Sequence, residues 1–119
     1  MKTLLLFLML TTPHYAKRQV LIFYGVNGTA LKNKQLSLLN ADKHQLLERD
    51  IEIHTYNISE SEPEVRHRNI KPTSDFTFLL LGKDGHEAIR TDTIIRTKQL
   101  FAIIDAMPMR RRQMKENKE

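Results

Sequence analysis

Cysteine does not occur anywhere in the 119 residues, and neither does tryptophan. Without a thiol, the chain itself cannot carry out disulfide exchange or peroxide reduction through a protein thiolate, and it cannot build a cysteine-ligated metal site. Disulfide cross-links are excluded as well, so stability has to come from an ordinary packed core. Glycine and proline number only four each, which makes every one of them an informative break in the chain. Phenylalanine and tyrosine together make up 7% of the residues, and they form no stacking platform of the kind that holds single-stranded nucleic acid. No apolar run approaches the roughly 20 residues that a membrane-spanning helix needs.

The longest apolar run covers residues 4–10, after Lys2 and before Pro13 and Ala16. That order resembles a secretory signal peptide, although a cut after Ala16 sets His14 three positions before the cut, where small residues are usual. The same run also fits a buried first strand. The expectation is an exported protein with a leader over residues 1–16, one domain over residues 17–114 and a charged tail over residues 115–119. The length suits a single domain. The formal charge is +5, with much of the excess between Arg110 and Lys118. A segment of that kind suits an anionic surface or an acidic partner, or is a solvated terminus that aids solubility.

Residues 20–24 are continuously apolar, the mark of a central strand buried on both faces. Gly25, Asn27 and Gly28 follow, a loop expected to need positive φ. Leu36, Leu39, Leu46 and Leu47 recur at helical spacing, as in one helix over residues 32–49 or in two pieces, since Asp42 with Gln45 spells a capping box that would restart the helix. Ile51, Ile53 and Thr55 alternate with Glu52, His54 and Tyr56, as in a strand with one wet face. A helix between two strands implies a right-handed parallel crossover. Ser61 and Pro63 are placed to open a short helix through Arg68, with a loop across residues 59–72 as the alternative. Residues 76–81 form the most apolar strand, Asp84-Gly85 a turn, and residues 87–91 the returning strand. Leu100, Phe101, Ile103, Ile104 and Met107 make a last helical stripe between Thr97 as cap and Pro108 as stop. The resulting β-α-β-(α)-β-β-α order predicts an α/β, thioredoxin-like domain, a central mixed four-stranded sheet flanked by helices.

Gln35, Glu48-Arg49-Asp50, Leu81-Gly82-Lys83-Asp84-Gly85, Arg90, Leu100-Phe101 and the long closing phrase Ile104-Asp105-Ala106-Met107-Pro108-Met109-Arg110-Arg111 carry a family resemblance. They resemble a family of small exported bacterial proteins of unknown function, which is similar to the DUDES-type thioredoxin-like domain of sushi-repeat-containing extracellular proteins. The resemblance covers residues 17–114 and implies a peroxiredoxin- or thioredoxin-like fold without an established redox role. His86 stands where many relatives have a second glycine, and Asp84-Gly85 already suffices for the turn. Pro72 is three residues too early for the proline that directly precedes the third strand of a thioredoxin.

The loop at residues 25–30, where a thioredoxin-type nucleophile sits, offers only Asn27 and Thr29 as polar side chains. No nucleophile elbow is present, and the histidines at 14, 44, 54, 67 and 86 lack zinc-binding spacing. The Walker lysine and the dinucleotide fingerprint are missing too, so no metal and no cofactor are expected. The remaining candidates are the charged positions that the resemblance carries: Arg49, Asp50, Lys83, Asp84, Arg90, Asp105 and Arg110. Lys83, Arg90 and Arg110 suit a ligand carboxylate or phosphate. The alternative is a structural network in which they pair with Asp50, Asp84 and Asp105, with Arg90 and Asp105 in one ion-pair set. The functional expectation is a non-catalytic binding or structural module whose partner is an unidentified protein or an anionic ligand. The rivals are a peroxiredoxin-like oxidative-stress protein and a binder of anionic surfaces or nucleic acid through the basic tail.

Overall fold

A computed structural model describes residues 17–118; the expected leader over residues 1–16 lies outside them. The elements are β1 (Arg18–Tyr24), a 3-10 turn (Val26–Gly28), α1 (Thr29–Ala41), α2 (Lys43–Glu48), β2 (Ile51–Asn57), α3 (Glu62–His67), β3 (Phe76–Leu81), β4 (Glu87–Thr91), α4 (Thr97–Asp105) and α5 (Pro108–Lys118). The strands form one sheet in the order β2-β1-β3-β4. β1 runs parallel to β2, with Arg18 opposite Ile51, and antiparallel to β3, with Ile22 opposite Phe78. β4 returns antiparallel to β3.

The two continuous apolar runs occupy the two central strands because only there are both faces covered. Val20, Ile22, Phe76, Phe78 and Leu80 face Leu39 of α1, Leu46 of α2 and Leu100, Phe101 and Ile104 of α4. Leu21, Phe23, Leu79 and Leu81 face the other way, onto Val65 of α3 together with Ile58 and Ile70. This alternation is the two-residue period of a strand. No helix among the described residues is long and apolar enough to cross a membrane.

Several local expectations give way to long-range packing. The helix does restart after Asp42, but no side-chain cap forms there; the Asp42 carboxylate accepts the Thr97 hydroxyl at 2.6 Å. Thr97 is therefore tied to the α1–α2 junction, and Arg96 holds the N-cap position of α4 without a side-chain bond. Leu47 is exposed, while Gln35 is fully buried. The Gln35 amide donates to the Ile95 carbonyl and accepts the Ile95 N–H, both at 2.9 Å, as a neighbouring strand would.

Gly25 and Gly28 have negative φ, −100° and −104°, so positive φ is not why glycine stands there. Close approach is the reason: a Cβ on Gly28 would lie 1.7 Å from the Asp75 carbonyl oxygen. The Gly25 amide also donates to that oxygen at 2.9 Å. Gly85 does adopt positive φ, 81°, in the β3–β4 turn. α4 ends before Pro108, as expected, but Pro108 opens a further helix, and the charged segment expected to be a tail is helical as far as Lys118.

Candidate functional site: a charge cluster at the start of β1

Arg18 shares strand parity with Val20 and Ile22, so its side chain is directed under the α1/α4 layer, where it is 1% exposed. Its Nη1 donates to the Arg49 carbonyl at 2.7 Å, and its main-chain amide donates to the Asp50 carbonyl at 2.7 Å. The α2–β2 turn brings these carbonyls into place, with Asp50 in the left-handed region at φ 53°, which aspartate tolerates better than most residues. Arg49 grips Asp105 with both carboxylate oxygens, Nε to Oδ1 at 3.0 Å and Nη2 to Oδ2 at 2.8 Å. Its guanidinium also lies 4.3 Å from the centre of the Phe101 ring.

Arg110, likewise 1% exposed, enters from the first turn of α5. Nε donates to Asp105 Oδ1 at 3.1 Å, Nη2 to Glu48 Oε1 at 3.0 Å, and Nη1 to the Glu48 carbonyl at 3.3 Å and Gln113 Oε1 at 3.0 Å. Asp50 accepts Lys83 Nζ from the β3–β4 turn at 2.9 Å and Gln113 Nε2 at 3.2 Å. One end of the sheet is thereby tied to α2, α4, α5 and the hairpin. The Arg49 hydrogen bonds, and then those from Arg110, hold the Asp105 carboxyl below its ordinary range against the opposing effect of burial. The Lys83 bond does the same for Asp50, with help from Gln113. Burial, followed by the like charge of Arg110, pulls the Arg18 guanidinium below its ordinary value.

Of the charged positions singled out in the sequence, Arg49, Asp50, Lys83, Asp105 and Arg110 meet here, and Asp84 and Arg90 do not. Asp84 stays at the hairpin turn, where its carboxylate accepts the His86 amide at 3.0 Å and faces His86 Nδ1 at 3.2 Å. Arg90 pairs with Glu87 on its own strand, at 2.6 Å, and donates to the Arg68 carbonyl at 2.6 Å. The expected Arg90–Asp105 network does not form. Arg90 is opposite Leu79, which belongs to the core on the α3 side, while Asp105 lies at the end of α4 on the other face. Arg110 is also not part of a solvated tail. Sequence reasoning missed Arg18, Glu48 and Gln113; the Arg18 signal was its two-residue spacing from Val20 and Ile22.

The opposite end of β1 lies roughly 20 Å away, at about 3.3 Å per residue. There the main chain at Ser74 and Asp75 packs against Gly25 and Gly28. Among the described residues, no group of three or more histidine, aspartate or glutamate side chains is placed to hold a metal ion.

A mixed sheet in this order with helices on both faces is a thioredoxin-like α/β fold, and solved structures agree. One described as a malarial protein superposes with a TM-score of 0.59 at 21% identity, covering 75% of this chain and 94% of its own. Thioredoxin-2, described as a component of malaria parasite protein secretion machinery, gives 0.57 at 19% identity, covering 76% and 84%. At that identity the likeness is one of fold alone. The chain belongs to the family described as a domain of unknown function, DUF4174, which matches residues 9–113. No curated protein matches it.

Proposed function

We propose that this domain is an exported, non-catalytic binding or structural module that uses a thioredoxin-like scaffold for its shape. The observation that carries the reading is the state of the β1–α1 loop. It has no thiol, and the Asp75 main chain lies so close that Gly28 has no room for a Cβ. The charge cluster at the other end fits a structural role, because Arg49, Lys83 and Arg110 each hold a carboxylate. The apolar run at residues 4–10 supports export, and the motif-level likeness to DUDES-type domains belongs to the same proposal. A tail that binds anionic surfaces loses Arg110, which is buried in the cluster.

The test is direct. The purified protein is assayed for insulin-disulfide reduction and peroxide consumption beside a thioredoxin control, and the protein recovered from its cell is sized by mass spectrometry. Background rates and a mature start near Lys17 are expected. Turnover above background in either assay would refute the non-catalytic part, and retention of residues 1–16 would refute export.

A further inference from the structure

Gly82-Lys83-Asp84 of the hairpin phrase and Met107-Pro108-Met109 of the closing phrase meet at a cavity of about 200 Å³. Arg18, Lys83, Ala88, Met107, Pro108 and Met109 are among its lining residues. The neighbouring cluster holds four cations, Arg18, Arg49, Lys83 and Arg110, against three carboxylates, Glu48, Asp50 and Asp105. Three of the cations have an ion-pair partner. Arg18 has none among the described residues, and its side chain makes a single hydrogen bond, to the Arg49 carbonyl.

Every fully buried side-chain nitrogen and oxygen among the described residues has a partner. The Arg18 nitrogens that lack one therefore keep a trace of exposure, and Arg18 is among the residues that line the cavity. Asp50 and Asp105 attract the Arg18 charge without pairing with it directly, burial and the like charge of Arg110 outweigh that attraction, and a bound anion relieves the imbalance. The start of α5 adds to the field. Its first turn carries no acidic residue, and the Met109 and Arg110 amides have no acceptor among the described residues.

The geometry points to a binding site for a short-chain organic monocarboxylate, its carboxylate paired with Arg18 and its apolar body against Met107, Pro108, Met109 and Ala88. Asp84 and Glu87 also line the cavity; Glu87 is paired with Arg90 and Asp84 faces His86, so both are engaged elsewhere, but they oppose a second negative charge, which disfavours phosphate and dicarboxylates. The volume is below the roughly 300–1,000 Å³ of drug-sized sites, so the ligand is small. The inference rests on the non-catalytic reading only in that the ligand is bound and released unchanged.

The test uses the ¹⁵N-labelled protein titrated with isovalerate at fixed ionic strength and followed by amide shifts. Saturable shifts at Lys83, Met109 and Arg110 are expected, with phosphate weaker by roughly tenfold and Arg18→Met weaker by at least roughly tenfold. Ala88 is exposed on β4, so Ala88→Phe fills the cavity without entering the core and is expected to abolish saturation at an unchanged melting temperature. If Arg18→Met does not fold, Ala88→Phe decides. Absence of saturable shifts at those amides, phosphate binding as tight as isovalerate, or wild-type affinity in either folded variant would overturn the site. None of these outcomes bears on the insulin and peroxide assays, so the two readings fail separately.

Discussion

Asp105→Asn probes the charge cluster at its centre. The side chain keeps its size, but a carboxylate that accepts two bonds from Arg49 and one from Arg110 becomes a neutral amide with a donor at one end. Arg49 and Arg110 are too buried to recover the lost partner from water. Breaking a buried ion pair from one side costs about 3–5 kcal/mol. Asp105 is 31% exposed, and Arg110 keeps Glu48, so the low end of that range, about 3 kcal/mol, applies. A domain of this size loses about 4–8 °C per kcal/mol, which places the fall in Tm at about 12–24 °C. Thermal unfolding followed by circular dichroism at pH 7 measures it. Arg90→Ala is the internal control. Its pair with Glu87 is a surface one, with Arg90 38% exposed, and is worth about 0.2–1 kcal/mol. If Asp105→Asn shifted Tm no further than Arg90→Ala, the cluster would not be what holds α4 and α5 to the sheet.

Two further perturbations probe the other end of β1 and the acid sensitivity of the cluster. Gly28→Ala sets a Cβ against main-chain atoms of Asp75, which cannot swing aside, so a loss of about 3 kcal/mol in urea unfolding is expected, and wild-type stability would disprove the close approach. Folding lowers the pKa of Asp50 and Asp105, so their contribution is complete above the ordinary aspartate range near pH 4 and is lost as pH falls through the lower folded values. Thermal stability should therefore drop on acidification below about pH 4, and less steeply in Asp105→Asn. Equal slopes for the two proteins would remove Asp105 as a source of the acid sensitivity.

The central strands were legible because burial on both faces leaves a continuous apolar run, a signal that needs no knowledge of neighbours. The hairpin was legible for a similar reason, since an Asp-Gly pair specifies the turn locally. Where the reading failed, the deciding partner lay far away in sequence. Asp42 and Gln45 spell a cap, but Thr97 takes the Asp42 carboxylate. Gly28 suggested positive φ, but Asp75 sets the requirement through contact distance. Arg90 was grouped with Asp105 by topology, and strand parity sends it to the other face.

The helical end of the chain shows why the site was harder to read than the fold. A docked helix ordinarily announces itself by an apolar stripe at helical spacing. α5 has none: the one buried side chain among those described on it is Arg110. A run of three arginines then looks like a solvated basic tail, although its first member is the anchor. The anchoring works only because α2 and α4 present Glu48 and Asp105 to that guanidinium, and because Arg49 shares Asp105. Among the described residues no carboxylate pairs with Arg18 directly. The same buried cluster that fixes α5 in place therefore leaves one positive charge beside the cavity at the start of that helix, where binding a carboxylate and holding α5 become a single electrostatic problem.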